Sequence, residues 1–175
     1  KCLPVVPQDK LVQKVTSRES RGYGMQILTT DCHKLLGNIK AKHSEAFVIM
    51  GFTLFDLYPR DEWNFVFGQA NRATGVGIFS FARYQCAPPN FLRRCMAVLC
   101  HEIGHLFCIS HCIWWECIMN GSNHDEESDA RPMHLCPMDL GKLVEAFGGK
   151  IDIVAREQAL AEFFTAHGFA AIAEW

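Results

Sequence analysis

The sequence predicts an α/β (α+β) domain built on a partly parallel sheet. Two strand-like segments flank a helical one near the N-terminus, two more follow across a loop of hairpin composition, and a long amphipathic helix comes next. A chain of 175 residues at 49% hydrophobic and 21% charged buries a substantial core, and a single domain over 1–175 accounts for that length. It divides into an N-terminal part, 1–107, ending with the long helix, and a C-terminal part, 108–175.

Residues 1–22 carry Pro4 and Pro7 and read as irregular, with one edge strand over 11–15. A strand at 23–28 follows, and Thr30 is placed to cap a helix over 31–41 with Leu35, Leu36 and Ile39 as its buried stripe. The run Ala46-Phe47-Val48-Ile49-Met50-Gly51-Phe52 has no polar member, the pattern of a strand covered on both faces. With the helix between them, the two strands make a βαβ-like unit and hence a parallel pairing. Asp56-Leu57-Tyr58-Pro59 reads as a turn, and strands at 63–69 and 76–83 surround the hairpin-like loop. Beyond Pro88 and Pro89, Asn90 is a natural N-cap for a helix over 90–107 whose apolar face is Leu92, Met96, Leu99, Ile103 and Leu106. Residues 120–135, with Asp125, Glu126, Glu127 and Asp129, read as an acidic surface loop. Pro137 suits the first turn of a helix to Phe147, stopped by Gly148. A last helix over 152–167 is capped by Asp152, ended by Gly168, and buries Ile153, Leu160, Phe163 and Phe164.

A net charge of −2 gives no reason to expect nucleic acid or an anionic membrane as partner. The longest apolar run, within 46–55, is too short to span a bilayer, and nothing reads as a leader. The nine cysteines are odd in number, and four of them lie between 100 and 117 beside histidines. That grouping predicts an intracellular, cytoplasmic or nuclear protein that spends thiols on metal. Cys2, Cys32, Cys86 and Cys95 are expected to be small apolar or solvent-facing residues.

The chemistry concentrates in 101–139. His101-Glu102-Ile103-Gly104-His105 reads H-E-x-x-H, and His111 follows six residues after His105. Chance produces about 0.02 H-E-x-x-H matches in a chain of this composition, and about 0.001 with the third histidine in place. The spacing has a physical reason. Zinc in a hydrolytic site takes three protein ligands and keeps a fourth position open. Residues i and i+4 of one helix give two nitrogens on one side of the metal, and the third must return after a turn. Glu102, next to the first ligand, is placed to act as general base and acid.

Cys112 and Cys117 follow at once, and Cys136-Pro137-Met138-Asp139 comes later. A Cys-x4-Cys pair and a Cys-Pro-x-Cys knuckle joined by a loop make a closed structural zinc site. Three thiolates are present, and Asp139 stands where the fourth would be. A carboxylate is an acceptable zinc ligand, though softer sites prefer sulfur. Asp139 as a helix-end charge, with His134 or water completing the shell or no metal at all, is the competing reading.

Together these residues, with the stretches Asp56-Leu57-Tyr58-Pro59, Trp63-Asn64-Phe65-Val66-Phe67-Gly68-Gln69-Ala70, Gly75-Val76-Gly77-Ile78-Phe79-Ser80-Phe81-Ala82-Arg83-Tyr84 and Gly121-Ser122-Asn123-His124, resemble the archaemetzincins, zinc peptidases of metzincin type, in their eukaryotic branch. The resemblance covers roughly 46–147 and implies a metzincin-like fold: a twisted mixed sheet with flanking helices, the active-site helix across it, and a small helical C-terminal part held by a second zinc. It implies a zinc metalloprotease acting on peptides as a monomer, in an aminopeptidase mode among others, with peptide laid along the edge of a strand such as 76–81. Met119 would be the methionine of the Met-turn beneath the catalytic metal, against a plain role in packing the loop.

Two residues depart from the family pattern. Cys108 stands where metzincins have glycine, and an L-residue kept left-handed there costs about 1–2 kcal/mol. The turn could instead shift and loosen His111, or the Cys108 thiol could itself reach the catalytic zinc. Asp139 is the second departure. A non-catalytic, zinc-stabilised interaction domain is therefore the alternative to a peptidase. A nucleobase deaminase is excluded, since P-C-x-x-C is missing.

Overall fold

The structure is a computed structural model that describes residues 2–84 and 88–173, so Cys86 lies outside the described residues. The first element is a short helix, α1 (Gln8–Val12), where the sequence suggests an edge strand. The Leu11 N–H donates to the Pro7 carbonyl at 2.9 Å, and Leu11 and Val15, four residues apart, turn together onto the core. β1 (Ser17–Ser20) then pairs antiparallel with β2 (Gly24–Leu28). The next helix is α2 (Thr29–Lys40), which starts ahead of the expected cap and has no side-chain cap at Thr30. Asp31 accepts from the Thr16 N–H (3.0 Å), the Thr16 hydroxyl (2.7 Å) and Lys34 (3.0 Å), which ties α2 to the start of β1.

The strands fall into two three-stranded mixed sheets, β1-β2-β4 and β3-β6-β5, where β3 is Ile49–Thr53, β4 Asp56–Tyr58, β5 Gly68–Asn71 and β6 Val76–Ser80. β2 pairs parallel with β4, and β3 parallel with β6. The segment read as a turn at Asp56 is thus a buried strand, and the βαβ-like unit closes between β2 and β4 rather than β2 and β3. Residues 49–58 run on as one chain that bends at Leu54 and Phe55 and changes neighbours there. Buried Asp56 is held by Arg83 at 2.8 and 2.7 Å and by the Gln26 amide at 2.7 Å, so its charge is compensated.

Only one face of β3 is fully covered. Leu36 of α2 packs on Gly51, whereas Phe47 and Phe52 are 66% and 51% exposed. Phe52 stacks on Phe81, and Phe47 stacks on Phe107. Aromatic stacking across an open face accounts for the apolar run that suggested burial on both sides. Residues 63–67 make no strand beyond the bridge from Val66 to Leu57. β5 and β6 are the expected antiparallel hairpin.

The long helix is α3 (Pro88–Leu106), and Asn90 lies inside it rather than at its cap. It packs on β5 and β6. Its buried positions are Ala97, Val98, His101, Gly104 and Leu106, while Leu92 is exposed. The buried face is therefore rotated from the predicted Leu/Met stripe toward the histidines, because Ala97 and Gly104 permit a closer approach than leucine does.

Beyond α3 the regular elements among the described residues are helices: α4 (Asp125–Ala130), α5 (Pro137–Ala146), α6 (Ile153–Ala166) and α7 (Ala170–Ala173). α4 occupies the expected acidic loop, and Asp129 is paired with Arg94 at 2.8 and 2.6 Å. α5 and α6 keep their predicted limits: Pro137 sits in the first turn, Gly148 and Gly168 have positive φ, and Asp152 accepts from the Ala155 N–H at 3.0 Å. Of the residues expected to be buried in α6, Phe164 is, in a cluster with Ala97, Met133 and Phe169. Ile153 and Phe163 face outward.

Candidate metal centre

α3 places His101 and His105 one turn apart, and the chain then reverses to bring in His111. The reversal is a Schellman-type turn. The Cys108 N–H donates to the His105 carbonyl and the Ile109 N–H to the Gly104 carbonyl, each at 3.0 Å. Cys108 sits at the left-handed position with φ 64°, and among the described residues it is the one non-glycine with positive φ. The turn is kept, not shifted. Cys108 is exposed and belongs to neither candidate ligand cluster.

One nitrogen from each of His101, His105 and His111 lies within 4.8 Å of the others. The Nδ1 of His101 is 2.8 Å from the Ile118 carbonyl, and that of His105 is 2.8 Å from the Ile109 carbonyl. A carbonyl only accepts, which places the His105 proton on Nδ1; the His101 Nδ1 faces both the Ile118 carbonyl and, at 3.1 Å, the Arg131 guanidinium, so an acceptor and a donor meet at that nitrogen. The His101 and His111 Nε2 atoms are 3.2 Å apart. Tetrahedral zinc with bonds of about 2.05 Å needs its nitrogens about 3.3 Å apart. Burial pushes the His101 pKa down to about 3, against the Ile118 carbonyl, and burial lowers that of His105 too. Both imidazoles are neutral at pH 7, the form that binds a metal.

Glu102 is half-buried beside this cluster. Burial raises its pKa to about 7, against the Arg131 charge and the Ala70 N–H of β5. β6 has strands on both sides, so it cannot take peptide at an edge, contrary to the expectation for 76–81. β3 and β5 are the outer strands, and the Ala70 N–H of β5 faces Glu102.

Met119 is fully buried, and its thioether lies on Gly104, where a Cβ would meet the Met119 Cε at 2.9 Å. It thus packs against the helix at the residue before His105, in a cluster with Ile109, Cys117 and Ile118. Gly104 and Arg131 were not legible as site residues. Arg131 is buried and donates to the Asn120 carbonyl at 3.0 Å and the Ser128 hydroxyl at 2.7 Å, which pins the 119–121 segment under His101. A glycine inside a long helix is the signal that marks Gly104; nothing in the sequence marks Arg131.

A second cluster joins Cys112, Cys117, Cys136 and Asp139. The Cys112 and Cys136 sulfurs are 3.9 Å apart, close to the roughly 3.8 Å spacing of thiolates at about 2.3 Å from tetrahedral zinc. Cys117 Sγ lies 3.3 Å from Asp139 Oδ2. The backbone N–H of Cys136 donates to Cys117 Sγ at 3.2 Å and that of Asp139 to Cys136 Sγ at 3.4 Å, bonds that favour thiolates. Burial raises the Cys117 pKa to about 12, a shift a divalent cation would reverse. Asp139 is 1% exposed, so it is no solvated helix-end charge. Burial works against its ionisation, but Lys142 and Cys117 hold its pKa below the usual carboxylate value. Lys142 takes Oδ1 at 2.7 Å and leaves Oδ2 to the sulfurs. His134, the other candidate fourth ligand, is not part of the cluster. Asn120 shapes the loop between the cysteines, donating to the Cys112 and Trp115 carbonyls at 2.7 and 2.9 Å. Both donor sets fit zinc.

Comparison with known proteins follows the same lines. The chain is 44% identical to archaemetzincin-2 of Mus musculus, over 71% of this chain and 43% of that protein. It is 30% identical to archaemetzincin-1 of Homo sapiens, over 86% of this chain and 36% of that protein. The chain spans less than half the length of the curated relatives it matches. The crystal structure of archaemetzincin from Methanopyrus kandleri matches with TM-score 0.61 and 31% identity, over 70% of this chain and 67% of that one. A zinc-dependent peptidase from Methanocorpusculum labreanum shares the fold, with TM-score 0.62 and 23% identity over 73% of this chain and 80% of that one. The model of peptidase family M54 matches residues 5–145. The chain belongs to peptidase family M54.

Proposed function

We propose that this chain is the catalytic domain of a zinc peptidase, with the metal held by His101, His105 and His111 and with Glu102 as general base and acid. The observation that carries this is the convergence of one nitrogen from each of the three histidines within 4.8 Å, with the Nε2 atoms of His101 and His111 3.2 Å apart and the Nδ1 atoms of the two helical histidines on backbone carbonyls. Zinc held there supplies a Lewis acid that polarises a carbonyl and lowers the pKa of water. Glu102 takes the proton from the attacking water and passes it to the leaving amine. The outer edge of β5 offers main-chain groups to an extended peptide, and its Ala70 lies against Glu102. Met119 fills the space at Gly104, on the helix that carries His101 and His105.

A second zinc, held by Cys112, Cys117, Cys136 and Asp139, ties the loop after α3 to α5. The reading is of a monomer in the cytoplasm or nucleus, cleaving peptides in an aminopeptidase mode among others. A non-catalytic domain is the weaker reading, because Cys108 keeps the turn and Asp139 sits among the thiols, so neither departure argues for lost chemistry. The test is metal analysis together with peptide hydrolysis. Two zincs per chain are expected, with hydrolysis lost in Glu102→Ala while metal stays bound. Hydrolysis unaffected by that substitution would end the mechanism.

A further inference from the structure

An open cavity of about 430 Å³ lies where the C-terminal end of α3 meets the β5–β6 loop, walled by Phe47, Leu106 and that loop, with Lys40 and Arg72 on its rim. Leu106 follows His105 directly, and Arg72 follows the last residue of β5. Arg72 is two residues beyond Ala70, whose N–H faces Glu102, a separation of roughly 7 Å along an extended chain.

The two cations are not neutralised. No ion pair or hydrogen bond among the described residues engages Arg72. Lys40 donates one N–H to the Thr74 carbonyl at 2.9 Å, which fixes its ammonium over Gly75 and leaves two donors. The one carboxylate on the rim, Glu45, lies 3.3 Å from His43. The cavity is therefore a pocket with a net positive rim, at the end of the strand edge proposed to hold peptide.

We propose that Arg72 and Lys40 form a subsite for a carboxylate of the peptide substrate, about two residues from the scissile bond. It rests on the peptidase reading for its position and on the cavity for its charge. An extended peptide beside β5 places alternate side chains on the same side, and one of them points between Arg72 and Lys40. The carboxylate belongs either to an acidic side chain or to a free C-terminus, and the two have the same charge and fork geometry.

The test reads binding and cleavage separately. Fluorescein-labelled synthetic decapeptides, with Asp, Asn or Lys scanned through each position and with free or amidated C-termini, are titrated against zinc-loaded Glu102→Ala protein by anisotropy. Binding is expected to be roughly tenfold tighter for one Asp position than for Asn there, the scale of a charge-assisted hydrogen bond, and to weaken with salt. Arg72→Glu should abolish that preference and favour Lys. Arg72 is exposed, and an unchanged thermal melt of the variant excludes misfolding. A preference that follows the free C-terminus assigns the pocket to the terminal carboxylate, and one that follows Asp assigns it to a side chain. Equal binding of Asp and Asn peptides with free and amidated ends, or a preference that survives Arg72→Glu, overturns the subsite. Cleavage by the wild type is scored on the same peptides. Acid-selective binding without hydrolysis would overturn the peptidase reading and leave the subsite standing, and hydrolysis blind to charge would do the reverse.

Discussion

Replacing Cys108 by glycine should stabilise the protein, and the size of the effect follows from one dihedral. Cys108 has φ 64°, is exposed, and its backbone makes the turn that returns His111 to the cluster. An L-residue held there costs about 1–2 kcal/mol. Glycine removes that strain but adds about 0.4–1 kcal/mol of unfolded-state entropy to be lost on folding. The net gain is about 0.5–1 kcal/mol, which raises Tm by about 1–4 °C in a chain of this size. The assay is calorimetry in reductant, with Cys108→Ala as control, since alanine keeps the strain and loses only the thiol. Cys108→Ala should stay within about 1 °C of the parent. Zinc at the histidines should also be released more slowly to a chelator in Cys108→Gly, because the third ligand follows the relaxed turn. A glycine variant no more stable than the parent, or an alanine variant that gains as much, would refute the argument from strain.

Three further substitutions test other parts of the site and its frame. Asp139→Cys should hold the second zinc longer against chelator, since a fourth thiolate suits that ion better than a carboxylate; equal release rates would mean that Asp139 does not touch the metal. Gly104→Ala gains about 1 kcal/mol of helix propensity but loses about 1–3 kcal/mol to overpacking on Met119. It should therefore weaken zinc retention at the histidines more than it changes Tm, and unchanged retention would remove Met119 from the support of the site. Asp31→Asn addresses pH. The Thr16 hydroxyl and N–H and then Lys34 lower the Asp31 pKa from 3.8 to about 2. A depressed carboxylate stabilises the fold above the unfolded value and loses that stabilisation as pH falls through the folded one. The variant should be less stable than the parent at neutral pH, with the gap closing between about pH 4 and pH 2; a gap that persists below pH 2 would assign the effect to something other than charge.

The site was more legible than the fold because its chemistry fixes spacing. His101, His105 and His111 had to stand at these offsets to share a metal, and no tertiary context was needed to see it. The Cys112, Cys117 and Cys136 grouping was visible for the same reason, and Asp139 was visible as an exception. The strands were harder to read, since hydrophobicity does not state which neighbour a strand will choose. Asp56 carries a charge, so its segment read as a turn; only Arg83, 27 residues later, makes that charge tolerable inside. The exposed aromatics at Phe47 and Phe52 look identical in sequence to buried ones. Arg131 acts by donating to the backbone of a loop eleven residues away, a contact with no local pattern.

The two carbonyls that orient the helical imidazoles have a consequence for how this protein tolerates change. Ile109 and Ile118 present main-chain oxygens to His105 and His101. Every amino acid carries that oxygen, so no exchange of side chain at either position deletes the acceptor. Only an insertion, a deletion or a shifted backbone could do so. The aim of the two imidazoles is thus insulated from point mutation at these positions, and the loops around them are free to diverge in their side chains while the direction of the rings is inherited unchanged.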